Sequence, residues 1–278
     1  MAASDIAQAE RSRRRAIALV VTLVVVVAGV ASALILTSGA RQAKPSAPPG
    51  AGSASPGASA AEPLGAQSDG GILLGRDLAP GGEAPAADEA VTVHIVTDFL
   101  CPWCGLLEQA HGQTLAQAAA AGEIRLVLQP VNALGSYNNQ YSWRAMTAVE
   151  TVAALEPERF WAFYEALWAN QPAESDTAGD LTDEAIAQLA LEAGVSQATV
   201  DRFAEPPVAA WAEWSSDAGR AWAGSTPSVF MSFAGSEPVK WAGWLLVGAD
   251  ADGQEVYQAG DFAAAIANVK AGEKPDAG

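Results

Sequence analysis

The chain has 278 residues, half of them hydrophobic, and its 15 basic and 32 acidic side chains give a net charge of −17. The charge is uneven, because residues 1–44 carry six Lys or Arg and two Asp or Glu, which leaves nine basic and 30 acidic residues for the rest. So acidic a region is a poor binder of nucleic acid. We therefore expect no nucleic-acid partner and attribute the acidity to solubility.

The N-terminal segment has the pattern of a membrane anchor. Residues 1–15 end in a cluster of four arginines, and residues 16–36 then run for 21 residues without a charge. That length crosses a hydrocarbon core of about 30 Å as a helix, and basic residues ahead of it keep the N-terminus in the cytoplasm. We predict a cytoplasmic basic tail at 1–15 and a single transmembrane anchor at 16–36. The alternative is a cleaved signal peptide, since Ser38-Gly39-Ala40 is a weak cleavage site.

The composition of the next segment is that of a linker. Residues 37–68 are dominated by Pro, Gly, Ala and Ser, a composition that cannot bury a core and behaves as a flexible tether. The remaining stretch, 69–278, is long enough for one domain with a sizeable core. Whether the N-terminal segment is an anchor or a cleaved signal, this domain is expected outside the cytoplasm, where disulfides form and persist.

The first half of that domain has the pattern of a βαβ unit. The apolar, β-branched run Val91–Val96 predicts a central strand, and Leu106–Ala121 predicts a helix that ends at Gly122. A second strand is predicted over Ile124–Leu128, stopped by Pro130, and Ile72–Leu74 fits a short edge strand.

A helical insertion is predicted at about 137–222, before the sheet resumes. Its predicted helices are Asn139–Leu155, a second that begins at Pro157 with an apolar stripe through Trp168, a third capped by Thr182 that ends at Gly194, and two short ones within 198–222, broken at Pro206-Pro207. The second half of the sheet is predicted to contain Ser228–Phe233, strands within Lys240–Val247 and Glu255–Tyr257, and a closing helix from the cap Asp261 to Lys270.

The two cysteines of the chain stand in one motif, Cys101-Pro102-Trp103-Cys104, between the central strand and the first helix. A C-x-x-C at a strand-to-helix turn is typical of thioredoxin-type redox sites. Cys101 falls at the helix N-terminus, which favours a thiolate, the reactive form in disulfide exchange. The less favoured alternatives are a zinc site, which needs four ligands, and a structural disulfide, whose short loop removes little chain entropy. Haem attachment needs His after the second cysteine, where Gly105 stands.

Three segments resemble the DsbA-like thiol–disulfide oxidoreductases. The run Asp98-Phe99-Leu100-Cys101-Pro102-Trp103-Cys104 is similar to their active-site approach, and Gly224-Ser225-Thr226-Pro227 is similar to their cis-proline loop. Phe160 to Trp168, followed by Gln171, resembles their insertion helix. The resemblance covers about residues 72–271 and implies a thioredoxin fold with an inserted helical subdomain. The anchor and Ala-rich tether resemble those of high-GC Gram-positive bacteria.

The resemblance assigns roles to individual residues. It implies that Cys101 is the nucleophile, that Cys104 is the buried resolving thiol, and that Thr226 and Pro227 face the disulfide. Glu108, four residues after Cys104, stands where the family often carries an acid, and either takes part in proton transfer at Cys104 or is an exposed helix glutamate.

The chain also departs from the family pattern. The dipeptide between the cysteines is Pro102-Trp103, which has no His to stabilise the thiolate further, and Trp103 is expected to line the substrate groove. Ile95 occupies the position six before Cys101 where many thioredoxin-fold proteins carry a buried acid.

The predicted function is that of an extracytoplasmic protein disulfide oxidoreductase of the dithiol oxidase type, which oxidises cysteine pairs of secreted or cell-envelope proteins. The resemblance implies reoxidation by a membrane quinone-linked oxidase; we expect no cofactor, no metal and a monomer. Two alternatives from the same fold are a membrane-tethered reductase, for example in cytochrome maturation, and a non-catalytic binding module. A glutathione-dependent isomerase or transferase with the same motif is the third, and the anchor argues against it.

The sequence supports weaker predictions for two histidines and two tryptophans. His94, in the middle of the central strand, is expected to be packed or hydrogen-bonded, and His111 is expected at the surface. Trp241 and Trp244 are assigned to core packing in preference to a binding surface.

Overall fold

The computed structural model of the chain describes residues 62–172, 182–203, 205–249 and 254–276. The predicted basic tail, the transmembrane anchor and the linker as far as residue 61 lie outside the described residues. Within the described ranges, no helix is both long and apolar enough to cross a membrane.

A five-stranded sheet in the order β1-β3-β2-β4-β5 forms the centre of the domain. Its strands are β1 (Ile72–Leu73), β2 (Val91–Thr97), β3 (Ile124–Pro130), β4 (Ser228–Ser232) and β5 (Val239–Lys240). Strands β2 and β3 are parallel, and the other pairs are antiparallel. Nearly every side chain of β2 is buried on both faces, as its β-branched sequence predicts for a central strand.

Helix α1 (Pro102–Ala121) connects β2 to β3 and completes the predicted βαβ unit. It ends at Gly122, whose φ of 75° lets its N–H reach the carbonyls of Ala118 and Ala119. An L side chain rarely adopts that backbone conformation, which explains the glycine. The helix starts four residues earlier than predicted, because the active-site motif itself forms its first turn.

Five α-helices in the described ranges between β3 and β4 form the predicted insertion. They are α2 (Tyr141–Leu155), α3 (Phe160–Ala169), α4 (Asp183–Glu192), α5 (Gln197–Val200) and α6 (Pro206–Ala223). The Thr182 hydroxyl accepts a hydrogen bond from the Ala185 N–H and caps α4, as predicted. The break at Pro206 is confirmed, but the two prolines begin one helix of 18 residues, because they fit the first turn of a helix that they would interrupt elsewhere.

The end of the chain departs from the prediction of one continuous sheet. Strands β6 (Leu245–Ala249) and β7 (Glu255–Ala259) pair only with each other among the described strands, as a separate antiparallel sheet. Helix α7 (Phe262–Lys270) comes next and is capped by Asp261, whose carboxylate accepts from the Ala264 N–H.

The folded domain begins before the predicted boundary at residue 69. Pro63 is buried, and the Leu64 N–H donates to the Ala153 carbonyl on α2. Gln67 and Gly71 also pair through the backbone. Composition alone misplaces this boundary because a few contacts suffice to order a short Gly- and Ala-rich stretch.

Both histidines are buried. His94 donates from Nε2 to Gln129 Oε1 at 2.9 Å on the neighbouring strand, as expected. His111 corrects the expectation of a surface residue: its Nε2 donates to the Trp244 carbonyl at 2.6 Å, and its ring contacts Trp241. Both interactions come from residues more than a hundred positions away, so helix position alone could not reveal them.

Candidate active site

The cysteine motif forms the turn between β2 and α1. Cys101 is the N-cap of α1, with extended backbone angles of −70° and 118°, and Pro102 occupies the first helical position. The Cys101 carbonyl accepts the N–H groups of Cys104 and Gly105 at 3.0 and 3.2 Å. Both thiols are free. Cys101 is buried but retains 6% exposure, whereas Cys104, one turn further along the helix, is fully buried.

The pKa values of the two thiols are shifted in opposite directions. The pKa of Cys101 is lowered to about 6, chiefly by a hydrogen bond from the Cys104 thiol, and further by the backbone N–H groups of Cys104 and Trp103 and by Thr226. Burial acts against this shift. The pKa of Cys104 is raised well above its ordinary value by burial and by the neighbouring Cys101. The site therefore holds a Cys101 thiolate beside a protonated Cys104 at neutral pH.

The loop that precedes β4 faces Cys101, as the resemblance implies. The Thr226–Pro227 peptide bond is cis, and the Cys101 thiol lies 3.5 Å from the Thr226 carbonyl oxygen. The described structure thus brings together Cys101, Cys104, Thr226 and Pro227 from opposite ends of the sequence.

A buried carboxylate to which the sequence pattern assigned no role lies under the motif. Asp98 Oδ1 accepts from the Leu100 N–H and the Ser142 hydroxyl, at 2.8 and 2.6 Å. Its Oδ2 accepts from the N–H groups of Ala133 and Leu134, at 2.7 and 2.8 Å.

Asp98 thus joins the active-site turn to the loop after β3 and to helix α2, and its own N–H donates to Cys104 Sγ at 3.4 Å. Burial raises its pKa, although the four hydrogen bonds oppose that change. A signal for this carboxylate exists in the sequence, since an acid three residues before a C-x-x-C at the end of a buried strand has little access to water. The family pattern points instead to the position of Ile95, three residues earlier.

Glu108 lies on α1 next to the aromatic core of the insertion. Its carboxylate is 3.5 Å from the Tyr164 hydroxyl. The pKa of Glu108 is raised to about 7 by burial and by repulsion from Glu165, against the hydrogen bond from Tyr164. The partly buried position is inconsistent with a freely exposed helix glutamate, and the pKa of its carboxyl group lies near neutral pH.

An apolar rim borders Cys101 on the side of the β6–β7 hairpin. It comprises three exposed side chains: Trp103, Tyr257, and Val247, which pairs with Tyr257 across the hairpin. Trp103 is 45% exposed and contacts the Tyr257 ring edge-on at a centroid distance of 5.7 Å. Pro102 is exposed beside it. The rim is thus an exposed apolar patch next to the active-site motif.

No group of three or more metal-ligating side chains occurs within the described ranges. Trp241 is buried against His111 and Phe262, and Trp244 packs against the core, as expected for both.

The comparisons with known proteins agree with this geometry. The thioredoxin family model matches residues 83–243, more than half of the chain. A search of curated protein sequences gave no match. Two solved structures align over 62% of this chain with a TM-score of 0.50. MdbA, a thiol–disulfide oxidoreductase from Actinomyces oris, is 21% identical with 79% of its chain covered. Reduced DsbA from Mycobacterium tuberculosis is 25% identical with 85% of its chain covered.

The family match and the site lead to the same assignment. A thioredoxin sheet, a C-x-x-C at the N-terminus of its first helix and a facing cis-proline occur together in the described structure. The chain therefore belongs to the thioredoxin family, in which it resembles the DsbA-like proteins, and its paired thiols are those of a disulfide oxidoreductase.

Proposed function

We propose that the domain oxidises cysteine pairs of secreted or cell-envelope proteins through a Cys101–Cys104 disulfide. This direction is supported by the lowered pKa of Cys101, about 6, together with the similarity to DsbA. A stabilised thiolate favours the reduced form of the dithiol, and a dithiol whose reduced form is favoured is a strong oxidant.

The proposed reaction has two exchange steps. A substrate thiolate attacks Cys101 Sγ, which forms a mixed disulfide and breaks the Cys101–Cys104 bond, so the electron pair leaves on Cys104 Sγ. A second substrate thiolate then attacks the substrate sulfur of the mixed disulfide and releases Cys101 as a thiolate. The substrate is oxidised by two electrons and the dithiol is reduced by two.

Proton transfer depends on the acidities of the two thiols. Cys104 takes up a proton when it leaves, because burial raises its pKa well above the ordinary value, whereas Cys101 leaves as the anion. We assign the proton exchange to Glu108, whose pKa of about 7 allows it to gain and lose a proton at neutral pH.

Substrate binding is assigned to the apolar rim and to the cis-proline loop. Trp103 lies two residues after Cys101 and contacts Tyr257 of the rim, and the Thr226 carbonyl contacts the Cys101 thiol. Apolar contacts together with backbone groups select for unfolded chains rather than for one sequence, so we expect low substrate specificity.

The cellular setting is part of the proposal. The apolar segment 16–36 would anchor the chain by a single span, with its N-terminus in the cytoplasm and residues 37–61 as the tether to the domain. Reduced substrates would arrive on the oxidising, outer side of the membrane, and a membrane quinone-linked oxidase would restore the disulfide. The domain would act as a monomer, without a cofactor.

Refolding of a reduced protein tests the proposal. The oxidised domain, incubated with reduced, unfolded ribonuclease, should form substrate disulfides in stoichiometric amount and become reduced itself. Cys101→Ser and Cys104→Ser should both be inactive, because neither variant can form the Cys101–Cys104 disulfide. Catalysed reduction of insulin without oxidation of ribonuclease would instead support the membrane-tethered reductase, and activity of a double Cys→Ala variant in preventing aggregation would support a binding module.

A further inference from the structure

One side chain of the helical insertion holds the active-site turn in place, and it has been given no role so far. Gln171 lies just beyond the end of α3 (Phe160–Ala169). Its Nε2 donates to the Cys101 carbonyl at 2.8 Å and to the Phe99 carbonyl at 3.1 Å. One amide group thus bridges two carbonyl groups on either side of Leu100, at the reactive thiol.

The other end of the same amide lies against α1. A Cβ atom added to Gly105 would be 2.0 Å from Gln171 Oε1, so the glycine leaves the space that the amide fills. The orientation of the amide is fixed by its surroundings, because a flipped group would place its oxygen against two carbonyl oxygens. Gln171 and Gly105 therefore form an interlocking pair.

The bridge acts on the part of the backbone that sets the Cys101 geometry. The Cys101 carbonyl already accepts the N–H groups of Cys104 and Gly105, and the Gln171 amide adds a third donor from outside the helix. With its carbonyl held on three sides, Cys101 keeps the extended N-cap conformation that places its sulfur beside the Thr226 carbonyl oxygen.

We propose that Gln171 is a positioning residue for the Cys101 thiolate, through which the helical insertion sets the reactivity of the dithiol. This inference rests on the proposed oxidase function, since it concerns the thiol that starts that reaction. Gln171 acts by fixing the backbone on which the sulfur is carried, and takes no part in the exchange of bonds between sulfur atoms.

The pair allows a double-mutant test. Gln171→Ala removes both hydrogen bonds, and Gly105→Ala expels the amide without changing Gln171 itself. Each change should raise the Cys101 pKa by roughly half a unit to one unit, which is a three- to tenfold loss of thiolate relative to thiol at pH 5.5. The double variant should lose no more than either single variant, because the second change removes contacts that are already gone.

The measurement is the pH dependence of Cys101 alkylation on the reduced domain, together with the thiol–disulfide equilibrium constant against glutathione. Gln113→Ala serves as the matched control, since Gln113 is an exposed amide on α1, and it should match the wild type in both. Thermal melting of each variant separates a loss of folding from a change at the thiol.

The outcomes distinguish the two proposals. Equal shifts in both single variants, without further loss in the double variant, support the positioning role. Lower melting temperatures with an unchanged Cys101 titration would overturn it and leave Gln171 a structural residue, and additive shifts would overturn the interlock. If the wild-type domain itself fails to oxidise reduced ribonuclease, the proposed function fails, whatever the variants do to the titration.

Discussion

Replacement of Cys104 by alanine tests the physical origin of the reactive thiolate. The Cys101 pKa is lowered to about 6, and the largest cause is the hydrogen bond from the Cys104 thiol. A hydrogen bond to a charged group contributes about 1.5–3 kcal/mol, and one pKa unit corresponds to about 1.4 kcal/mol. Cys104→Ala should therefore raise the Cys101 pKa by about one to two units.

A matched variant separates the donor from the size of the side chain. Cys104→Ser retains an O–H group at the same place, so it should raise the Cys101 pKa by less than Cys104→Ala does. The assay is the rate of iodoacetamide alkylation between about pH 4 and 9, with the modified residue identified by mass spectrometry. In the wild type the alkylation rate reports on the Cys101 thiolate over most of this pH range, because burial keeps the Cys104 thiol protonated.

A clear result would refute the reasoning. If Cys104→Ala titrates within about 0.3 units of the wild type, the N–H groups of the helix N-terminus stabilise the thiolate by themselves. The Cys104 thiol would then be only the resolving group. If Ala and Ser titrate together at a raised pKa, the neighbouring sulfur matters for a reason other than its donated hydrogen bond.

The remaining predictions concern the buried acids. Asp98→Asn turns an N–H₂ group toward backbone donors and should lower the free energy of unfolding by about 1–3 kcal/mol in urea titrations. The control, Asp88→Asn at an exposed position, should change it little. Equal effects of the two variants would contradict the role of the Asp98 carboxylate in joining the active-site turn to the loop after β3. Glu108→Gln should slow reoxidation of the dithiol by about tenfold or more and abolish an inflection of the rate near pH 7. Glu165→Gln relieves the repulsion on Glu108 and should move that inflection to lower pH. Stopped-flow fluorescence measures both rates, and an unchanged pH profile in Glu108→Gln would show that Glu108 takes no part in proton transfer. Glu150 is fully buried with no hydrogen-bond partner for either carboxylate oxygen, and burial raises its pKa well above the ordinary value. Between the pKa of the unfolded state and that of the folded state, the folded protein retains a proton that the unfolded protein releases, so stability falls as pH rises through this window. Glu150→Gln should therefore stabilise the protein more at about pH 7.5 than at about pH 5, by up to about 1.4 kcal/mol per pH unit in the window, and equal differences in urea midpoint at the two pH values would contradict this.

Sequence patterns were most informative where they are local. The β-branched run before Cys101, the C-cap Gly122 and the caps Thr182 and Asp261 each act within a few residues, and the elements they predict are present. The start of the first helix is the exception, because Pro102 interrupts the apolar pattern on which the prediction depends, although proline fits the first turn of a helix.

Long-range contacts account for most of what sequence reasoning missed. The burial of His111 depends on Trp244, and the role of Asp98 depends on the backbone after β3 and on Ser142. The Gln171 bridge joins residues about 70 positions apart. None of these pairings leaves a periodic pattern in the chain, so only the fold brings them together.

The detached β6–β7 hairpin illustrates the same limit in another way. Its strands have apolar side chains that predict membership of the central sheet, yet Leu246, Val247 and Tyr257 remain exposed, and Tyr257 contacts Trp103. Hydrophobic alternation predicts a strand but does not specify which strand it pairs with.

The reduction potential of the Cys101–Cys104 pair tests the proposed direction most directly. The domain is equilibrated with glutathione buffers of known ratio, and the reduced fraction is measured by thiol alkylation and mass spectrometry. We predict a potential above about −180 mV, toward the oxidising end of the thioredoxin superfamily. A value near about −270 mV, as in thioredoxin, would contradict the proposal and make the domain a reductase that needs an electron donor.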